Sequence, residues 1–421
     1  MDSSNTGTDG RRRPAIGRRA VLGVGGLGIA GAGTAAAAAA ALRTSETRPA
    51  RARTVPFHGR HQAGILHRRQ AHVRLAAFDF GARTDRGRAA ALLLRWSTAA
   101  ERLTRGEPVG DELAPPGSRT TDTGAARGVG PASLTLTFGL GASFFDRVAM
   151  ASARPEALAP LPAFPDDQLD PTRSGGDLFV QIAADDPLAT VHALRTLQRL
   201  AHGEAKVVWT MTGFTSAPEG TSPGGAHRNL MGHLDGTANP DPADPAQRAR
   251  IVVSDPAAPA WLSGGSYLVA RRIRMLLDHW DTLPQAHRDQ AIGRRTADGA
   301  PLTGGTERTP ADLAAARPDG VPVIAANAHI RLAAPATTGG ATMLRRGWSY
   351  HDGLRPDGTP DAGMLFLAWQ SDPRTGFIPV QHRLARGDAL SRYTVHEASA
   401  LFAAPAGAAR GTYIGQALLE S

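Results

Sequence analysis

A carboxylate between two glycines is the first candidate for chemistry in this sequence. Asp235 stands in the run GHLDGTANP, with Gly232 before it and Gly236 directly after it. Glycine permits positive φ angles and a close approach of the backbone to a flat ligand, so a carboxylate on such a turn can project into a cavity and move protons there. The same residues also fit an ordinary Asp-Gly turn that the aspartate caps. The run by itself leaves both interpretations open.

His329 is the second candidate, because small and apolar residues flank it in the run AHIRLAAP. Such neighbours would keep water away from a bound iron, and imidazole is the usual axial ligand of haem in peroxidases. An iron-binding histidine also needs an acceptor for its other ring nitrogen, and the sequence does not name one. His329 is one of fourteen histidines, so a surface histidine or an internally hydrogen-bonded one is the alternative.

A pair of arginines lies sixteen residues beyond His329, in the run LRRGWSY. This run predicts a β-strand, in which successive side chains point to opposite faces. One of Arg345 and Arg346 should therefore point inward. An inward arginine near a haem would stabilise the negative charge that develops when a peroxide bond breaks. The alternative is two solvated arginines at the end of a strand.

The elements that must position these residues occur twice in one order. Hydrophobic periodicity predicts strand, helix, strand, strand, helix and strand in each half of the chain. The predicted strands are His72 to Phe80, Leu134 to Phe138, Leu178 to Ala184, Val207 to Thr212, Ser266 to Met275, Thr342 to Ser349, Met364 to Gln370 and Glu397 to Phe402, and the predicted helices are Arg86 to Leu103, Thr190 to His202, Leu277 to Ile292 and Arg383 to Arg392. This order predicts an α+β fold of two ferredoxin-like domains with antiparallel sheets, at residues 56–225 and 226–416.

A long segment, Gly293 to Gly340, interrupts the second predicted domain and contains His329. Connections of this length are unusual inside a compact domain and tend to be functional. The second half of the chain is therefore where we expect the site.

Composition and charge limit the possible partners. The 421 residues are 42% hydrophobic and 20% charged, which is typical of a folded globular protein. The formal net charge is +9, but residues 1–60 hold +7 of it, which leaves +2 for the remainder. A nearly neutral body does not favour nucleic acid as a partner. The sequence contains no cysteine, which excludes thiolate ligands, iron-sulfur clusters and covalent c-type haem.

The N-terminal residues predict an export signal. A basic stretch, Arg11 to Arg19, precedes a mildly apolar run rich in alanine and glycine, Ala20 to Leu42, which is the order of a signal peptide. The pair Arg18-Arg19 is typical of the twin-arginine type. A transmembrane helix is the alternative, but the run is weakly hydrophobic and ends in small residues that suit cleavage. We expect residues 1–42 to be a twin-arginine signal and residues 43–55 a linker, in a protein exported to the periplasm, the cell envelope or the outside of the cell.

The three runs with candidate residues occur together, as GHLDGTANP, HIRLAAPA and LRRGWSY. In them the sequence resembles the dye-decolourising peroxidases, in particular the exported deferrochelatase/peroxidase branch. The patterns of that branch are Gly-x-x-Asp-Gly-Thr-x-Asn-Pro, His-Ile-Arg-Leu-Ala-Asn-Pro-Arg and Leu-Arg-Arg-Gly-Tyr-Ser-Tyr. The resemblance extends over about residues 56–416 through PFHGRHQAGIL, GGDLFVQIAADDP and MLFLAWQ.

The resemblance implies roles for individual residues. Asp235 would be the acid-base group on the peroxide side of a haem, Arg345 the arginine beside it, and His329 the axial ligand of the iron. Further haem contacts are implied for Gly236, Thr237, Ala238, Arg331, Ala334, Pro335, Ala336, Arg345 and Phe366. The Asn-Pro-Arg of the family is Ala334-Pro335-Ala336 here, so polar contacts of those side chains with a haem propionate are either lost or supplied by another group such as Arg331 or Arg346.

By the same resemblance, the chain would bind one non-covalent haem b, reduce hydrogen peroxide through a ferryl intermediate and oxidise a phenolic or dye-like small molecule. Bulky dyes would not fit a small buried pocket, so we hypothesise that their electrons reach the haem through aromatic side chains. The candidates are Trp348, Tyr350, Trp369 and Tyr393, each of which fits a core position equally well. Haem handling, meaning binding of haem or release of its iron, is the alternative function. The twin-arginine export machinery would be a further partner, and a homo-oligomer is left open.

Overall fold

The structure is a computed structural model that describes residues 53–115, 122–216 and 226–421. The predicted export signal and most of the predicted linker lie outside the described residues. The strands are β1 (His72–Phe80), β2 (Thr135–Leu140), β3 (Leu178–Ala184), β4 (Ala205–Phe214), β5 (His227–Arg228), β6 (Leu234–Asp235), β7 (Ser266–Met275), β8 (Leu344–Leu354), β9 (Pro360–Gln370) and β10 (Thr394–Ala404). The α-helices are α1 (Arg86–Thr104), α2 (Ala142–Arg147), α3 (Pro187–Leu200), α4 (Pro245–Arg248), α5 (Leu277–Asp281), α6 (Gln285–Ile292), α7 (His329–Leu332), α8 (Phe377–Leu384) and α9 (Gln416–Leu419).

All strands except the short β5 and β6 close into one barrel, in the order β1-β3-β2-β10-β7-β9-β8-β4. Its neighbouring strands are antiparallel. The segments β4-β1-β3-β2 and β10-β7-β9-β8 each have the strand order of a ferredoxin-like sheet. The two sheets meet where Phe214 pairs with Ser349 and where Ala403 pairs with Leu140. The α+β fold of two ferredoxin-like units is confirmed, while the boundaries at residues 56–225 and 226–416 stay predictions.

Helices α1 and α3 cover one face of the first sheet. Each begins at an aspartate whose carboxylate accepts a backbone N–H of the first turn, Asp85 in α1 and Asp186 in α3, which satisfies a donor that the helix itself leaves unpaired. The apolar side of α1 is buried at Trp96, whose indole N–H donates to the carbonyl oxygen of Leu197 in α3 at 3.0 Å. The same indole stacks on Phe138 of β2, with ring centres 5.7 Å apart.

The second sheet is buried on both faces, as its strand patterns require. Interior side chains such as Trp348, Leu365 and Trp369 pack with Val73 and Phe179 of the first sheet. The side chains that alternate with these along each strand point outward. They include Arg345 and Gly347 on β8, which pair with Ala368 and Phe366 on β9. Helices and loops of the second half cover this outer face, together with Phe164 from the loop before β3. The candidate residues lie here.

Two predicted helices of the second half differ from the structure. The helix predicted over Leu277 to Ile292 is split into α5 and α6 by Pro284, because proline has no N–H to continue the hydrogen-bonding pattern. The helix predicted over Arg383 to Arg392 is wrong: α8 ends at Leu384, and a 3₁₀ turn follows at Ala389–Tyr393. Gly387 between them has a φ of 147°, which a continuous helix cannot accommodate.

No helix in the described ranges combines the length and the apolar character needed to cross a membrane.

Candidate active site

Asp235 lies on a two-stranded ribbon that the glycines of its run make possible. Residues of β5 and β6 pair antiparallel, with His227 directly opposite Asp235. The connection turns at Gly232, whose φ is 85°, and the chain turns again at Gly236, whose φ is 95°. Both angles are in the region that favours glycine. The predicted sharp turns are therefore present on both sides of the carboxylate, which is half-buried.

The Asp235 carboxylate rests on the backbone of β8. A methyl group built on Gly347 would lie 2.8 Å from Oδ2 of Asp235 and 2.9 Å from the sulfur of Met364, so only glycine leaves room for this contact. Two hydrogen bonds join the same loop to the strand. The side-chain NH₂ of Asn239 donates to the backbone carbonyl oxygen of Arg345 at 2.8 Å, and the backbone N–H of Arg345 donates to the side-chain oxygen of Asn239 at 3.0 Å. The loop with Asp235 and the strand with Arg345 thus form one unit.

Arg345 and Arg346 point to opposite faces of β8, as alternation predicted. Arg346 is inside the barrel, where its guanidinium donates to the carbonyl oxygens of Ile65, His67 and Arg68. Burial lowers its pKa to about 9, and nearby arginines add to this effect. Arg345 faces outward beside Gly347 and lies on the side of the sheet that carries Asp235.

His329 is the first residue of α7, and a buried carboxylate holds its imidazole. Nδ1 of His329 lies 2.7 Å from Oδ2 of Asp388, whose side chain is only 3% exposed. Burial alone would lower the pKa of His329, but the charge and hydrogen bond of Asp388 outweigh it, so the net pKa is raised. Because Nδ1–H donates to Asp388, the other ring nitrogen, Nε2, has a free lone pair with which it can bind a metal.

Asp235, Arg345 and His329 lie close enough for their charges to interact, although about a hundred residues separate the first from the others. Asp235 raises the pKa of His329 and Arg345 lowers it. The His329 side chain is 26% exposed. A carboxylate, a cation and an imidazole are therefore neighbours in the folded chain.

The other predicted haem contacts border the same region or follow α7. Phe366 lies opposite Gly347 on β9. The hydroxyl oxygen of Thr237 is buried without a hydrogen-bond partner in the described part of the chain, which suits a group that is bound beside it. Gly236 and Ala238 flank Thr237, and Ala334, Pro335 and Ala336 stand at the 3₁₀ turn that follows α7. The residues present fit a flat, largely apolar group held at His329.

Arg331 and Arg346 were the candidates for polar contacts with a propionate. The guanidinium of Arg331 donates to the carbonyl oxygens of Ile324 and Ala325, and that of Arg346 binds backbone carbonyls inside the barrel. Both groups therefore hold loops of this chain, and their proposed contacts with a propionate stay predictions.

Two residues of the site escaped sequence reasoning. Asp388 follows α8, 59 residues beyond His329, and nothing near it in the sequence identifies it as the acceptor that the histidine needs. Asn239 belongs to the GHLDGTANP run, so its position did carry a signal. An asparagine four residues after the carboxylate could have suggested a side chain that fixes the turn.

The aromatic candidates differ in exposure. Trp348, Tyr350 and Trp369 are at most 1% exposed, whereas Tyr393 is half-buried at the end of the 3₁₀ turn that Asp388 begins. Tyr393 packs edge-to-face on Trp280, with ring centres 5.3 Å apart. Both rings belong to the cluster that contains Ile330, the neighbour of His329. Of the four candidates, Tyr393 is the one with access to solvent.

Known protein families match both halves of this chain. Residues 62–215 match the family described as Dyp-type peroxidase, N-terminal, and residues 226–409 match Dyp-type peroxidase, C-terminal. The two matches contain the sheets of the first and second halves and all three candidate residues.

Individual relatives span most of the chain. A dye-decolorizing peroxidase of Thermobifida fusca (strain YX) is 45% identical over 369 residues, which are 85% of this chain and 84% of that protein. A deferrochelatase of Escherichia coli (strain K12) is 37% identical over 379 residues, 88% of each chain. Ferric DtpA from Streptomyces lividans superimposes with a TM-score of 0.83 at 52% identity, covering 88% of this chain and 98% of that one. The chain therefore belongs to the Dyp-type, or dye-decolourising, peroxidase family and is a peroxidase.

Proposed function

We propose that this peroxidase binds one haem b non-covalently through Nε2 of His329, reduces hydrogen peroxide there, and oxidises phenolic or dye-like molecules. The observation that carries the proposal is the proximity of Asp235, Arg345 and the Asp388-bound His329, whose charges act on one another. The family match supports a peroxide-reducing activity and, with the ferric relative, the use of haem. The stoichiometry, the reductant and the residue roles are part of the proposal.

The side chains divide the work with peroxide. Asp235, as a carboxylate, takes the proton from the oxygen of peroxide that is to be retained and gives it to the other oxygen, which leaves as water. Arg345 offsets the negative charge that develops while the O–O bond breaks. Asp388 holds the His329 ring and makes it a stronger donor. A bound haem supplies the iron and porphyrin electrons that reduce the peroxide and that the reductant later restores.

The absorption spectrum of the haem-loaded protein tests this function, recorded before and after one equivalent of hydrogen peroxide. We expect a ferric haem band that shifts with peroxide, little or no haem in His329→Ala, and a slower shift in Asp235→Ala. His351→Ala is a matched control, since His351 is exposed on β8. A protein that binds haem without any spectral response to peroxide would contradict the proposed peroxidase function.

Haem handling is the second candidate function, and the deferrochelatase relative is the observation that favours it. The two functions differ in their need for Asp235 and Arg345. Release of iron that persists in Asp235→Ala and Arg345→Leu, with free porphyrin as the product, would support haem handling, whereas loss of peroxide turnover in the same variants supports the peroxidase.

We also propose that residues 1–42 direct export through the twin-arginine machinery, on the basis of the Arg18-Arg19 pair and the run that follows it. This pathway carries folded proteins, which suits a chain that takes up its cofactor before export. Replacement of both arginines by lysine should retain the protein in the cytoplasm, as measured by fractionation and haem absorbance. Unchanged export of that variant would contradict the proposal.

A further inference from the structure

Arg69 precedes β1 in the first half of the chain, yet its side chain reaches the candidate active site in the second. Its Nη1 atom donates a hydrogen bond to the carbonyl oxygen of Gly347, the residue on which the Asp235 carboxylate rests. Its guanidinium carbon lies 6.0 Å from the ring centre of Trp348. Arg69 is therefore attached to β8 directly beneath the acid-base candidate.

The charge of Arg69 interacts with charged and titratable groups of the candidate active site. Burial lowers the pKa of Arg69, the negative charge of Asp235 raises it and the positive charge of Arg345 lowers it. Arg69 and Asp235 also act with opposite signs on His227, the residue that pairs with Asp235 in the ribbon. The charged and titratable groups that act on the same residues as Asp235 are thus Arg69 and Arg345, and those that Asp235 itself acts on include His227 and His329.

We infer that Arg69 is a positioning residue for the reaction with peroxide, because its hydrogen bond fixes the backbone of Gly347 under the Asp235 carboxylate. The inference deepens the proposed function and rests on it. A carboxylate that takes a proton from peroxide must lie within hydrogen-bond reach of it, and a misplacement of such a group by about 1 Å can lower a rate by about 100-fold. Arg345 has a separate task, because it faces the charge that develops on the breaking bond.

Two neutral substitutions separate the hydrogen bond of Arg69 from its charge. Arg69→Gln can still donate to the carbonyl oxygen of Gly347, whereas Arg69→Met cannot. The rate constant of the haem-loaded protein with hydrogen peroxide is measured for both. We expect Arg69→Met to lower it by up to about 100-fold, because the backbone under Asp235 is released, and Arg69→Gln to stay near the wild type.

A second measurement reads the same carboxylate without turnover. Fluoride binding to the resting ferric protein is followed by absorption, since a protonated carboxyl can donate a hydrogen bond to bound fluoride. At one acidic pH the fluoride affinity of Arg69→Met should fall below that of the wild type, because the displaced carboxyl no longer reaches the fluoride, and that of Arg69→Gln should not. Arg74→Met is the matched control, because it removes an arginine from β1 whose guanidinium contacts Thr212 at the surface.

The outcomes are distinct. If Arg69→Met keeps the wild-type rate constant and fluoride affinity, Arg69 is only a structural contact between the two halves, and the inference is wrong. Arg69→Leu serves as a second variant without a donor if methionine disturbs haem uptake. A wild-type protein that binds haem and fluoride but does not react with peroxide would instead overturn the proposed function, while the fluoride titration would still decide the role of Arg69.

Discussion

The imidazole of His329 and the carboxylate of Asp388 are joined by a hydrogen bond of 2.7 Å between Nδ1 and Oδ2. The carboxylate is almost fully buried, and its other oxygen accepts the N–H of Leu390 at 3.0 Å. Asp388 therefore has two tasks: it caps the 3₁₀ turn and it fixes the histidine ring. A negative charge at this place makes the imidazole a stronger ligand for ferric iron.

Replacement of Asp388 by asparagine separates these two tasks. Asparagine can still cap the turn but brings no charge, so the fold should be retained while haem affinity falls by about 10-fold to 100-fold, as for other partners of metal-binding histidines. The reduction potential of the iron should rise, because ferric iron loses stabilisation. Haem titration and spectroelectrochemistry measure both effects. An Asp388→Asn protein with wild-type affinity and potential would exclude this role.

Gly347→Ala should disturb catalysis more than stability. The new methyl group would meet Oδ2 of Asp235 at 2.8 Å, so the carboxylate must shift by a fraction of an ångström or more. Displacement of a catalytic group on this scale can lower a rate by about 100-fold. Stopped-flow measurement of the peroxide reaction, together with thermal unfolding, tests this. Equal rates in the variant and the wild type would show that Asp235 does not act from its present position.

Asn239→Ala should weaken both the loop and the strand. The substitution leaves the N–H and carbonyl groups of Arg345 without their side-chain partners, and an unpaired buried polar group costs about 1 to 3 kcal/mol. We expect a lower free energy of unfolding and a slower peroxide reaction, because Asp235 and Arg345 lose their mutual support. Asn229→Ala, in the neighbouring turn, tests whether any loosening of the ribbon has the same effect on the rate. Comparable rate losses in both variants would argue against a specific role of Asn239.

Tyr393→Phe should slow the oxidation of a bulky dye severalfold and leave the reaction with peroxide unchanged. The phenol of Tyr393 is partly exposed and packs on Trp280, whereas Tyr350 is buried, with its hydroxyl 2.9 Å from Nη1 of Arg272. Tyr350→Phe is therefore the matched control. Dye turnover that falls equally in both variants, or in neither, would refute a relay through Tyr393.

The fold should lose stability in acid because of its buried histidines. Burial is the main reason why the pKa values of His227 and His233 are lowered to about 4 and that of His396 to about 3. Between the unfolded value near 6.5 and these folded values, the unfolded chain binds more protons, so stability rises with pH. Each histidine thus removes about 1.4 kcal/mol per pH unit on acidification through this window.

Urea unfolding of the haem-free protein at pH 7, 6 and 5 measures this slope. His233→Asn should reduce it by about 1.4 kcal/mol per pH unit, since asparagine does not titrate. A slope that is the same in the variant would show that His233 is protonated in the folded protein.

Local patterns predicted much of the fold and the centre of the site. The bounds of β3 and β7 agree with the prediction. Asp235 and Arg345 lie in distinctive runs. Residues that are distant in the sequence and come together only in the folded chain could not be predicted, because no local pattern marks such contacts. Asp388 lies 59 residues from His329, and Arg69 lies 278 residues from Gly347.

The separation of the barrel interior from the outer face of β8 and β9 has a consequence for assembly. Interior side chains such as Trp348 and Trp369 form one cluster, and Phe366 and Ile330 on the outer face belong to another. A closed barrel therefore needs no cofactor to fill its interior. A haem held at His329 would lie against this outer face. The proposed uptake of the cofactor can therefore follow folding of the barrel as a separate, later step.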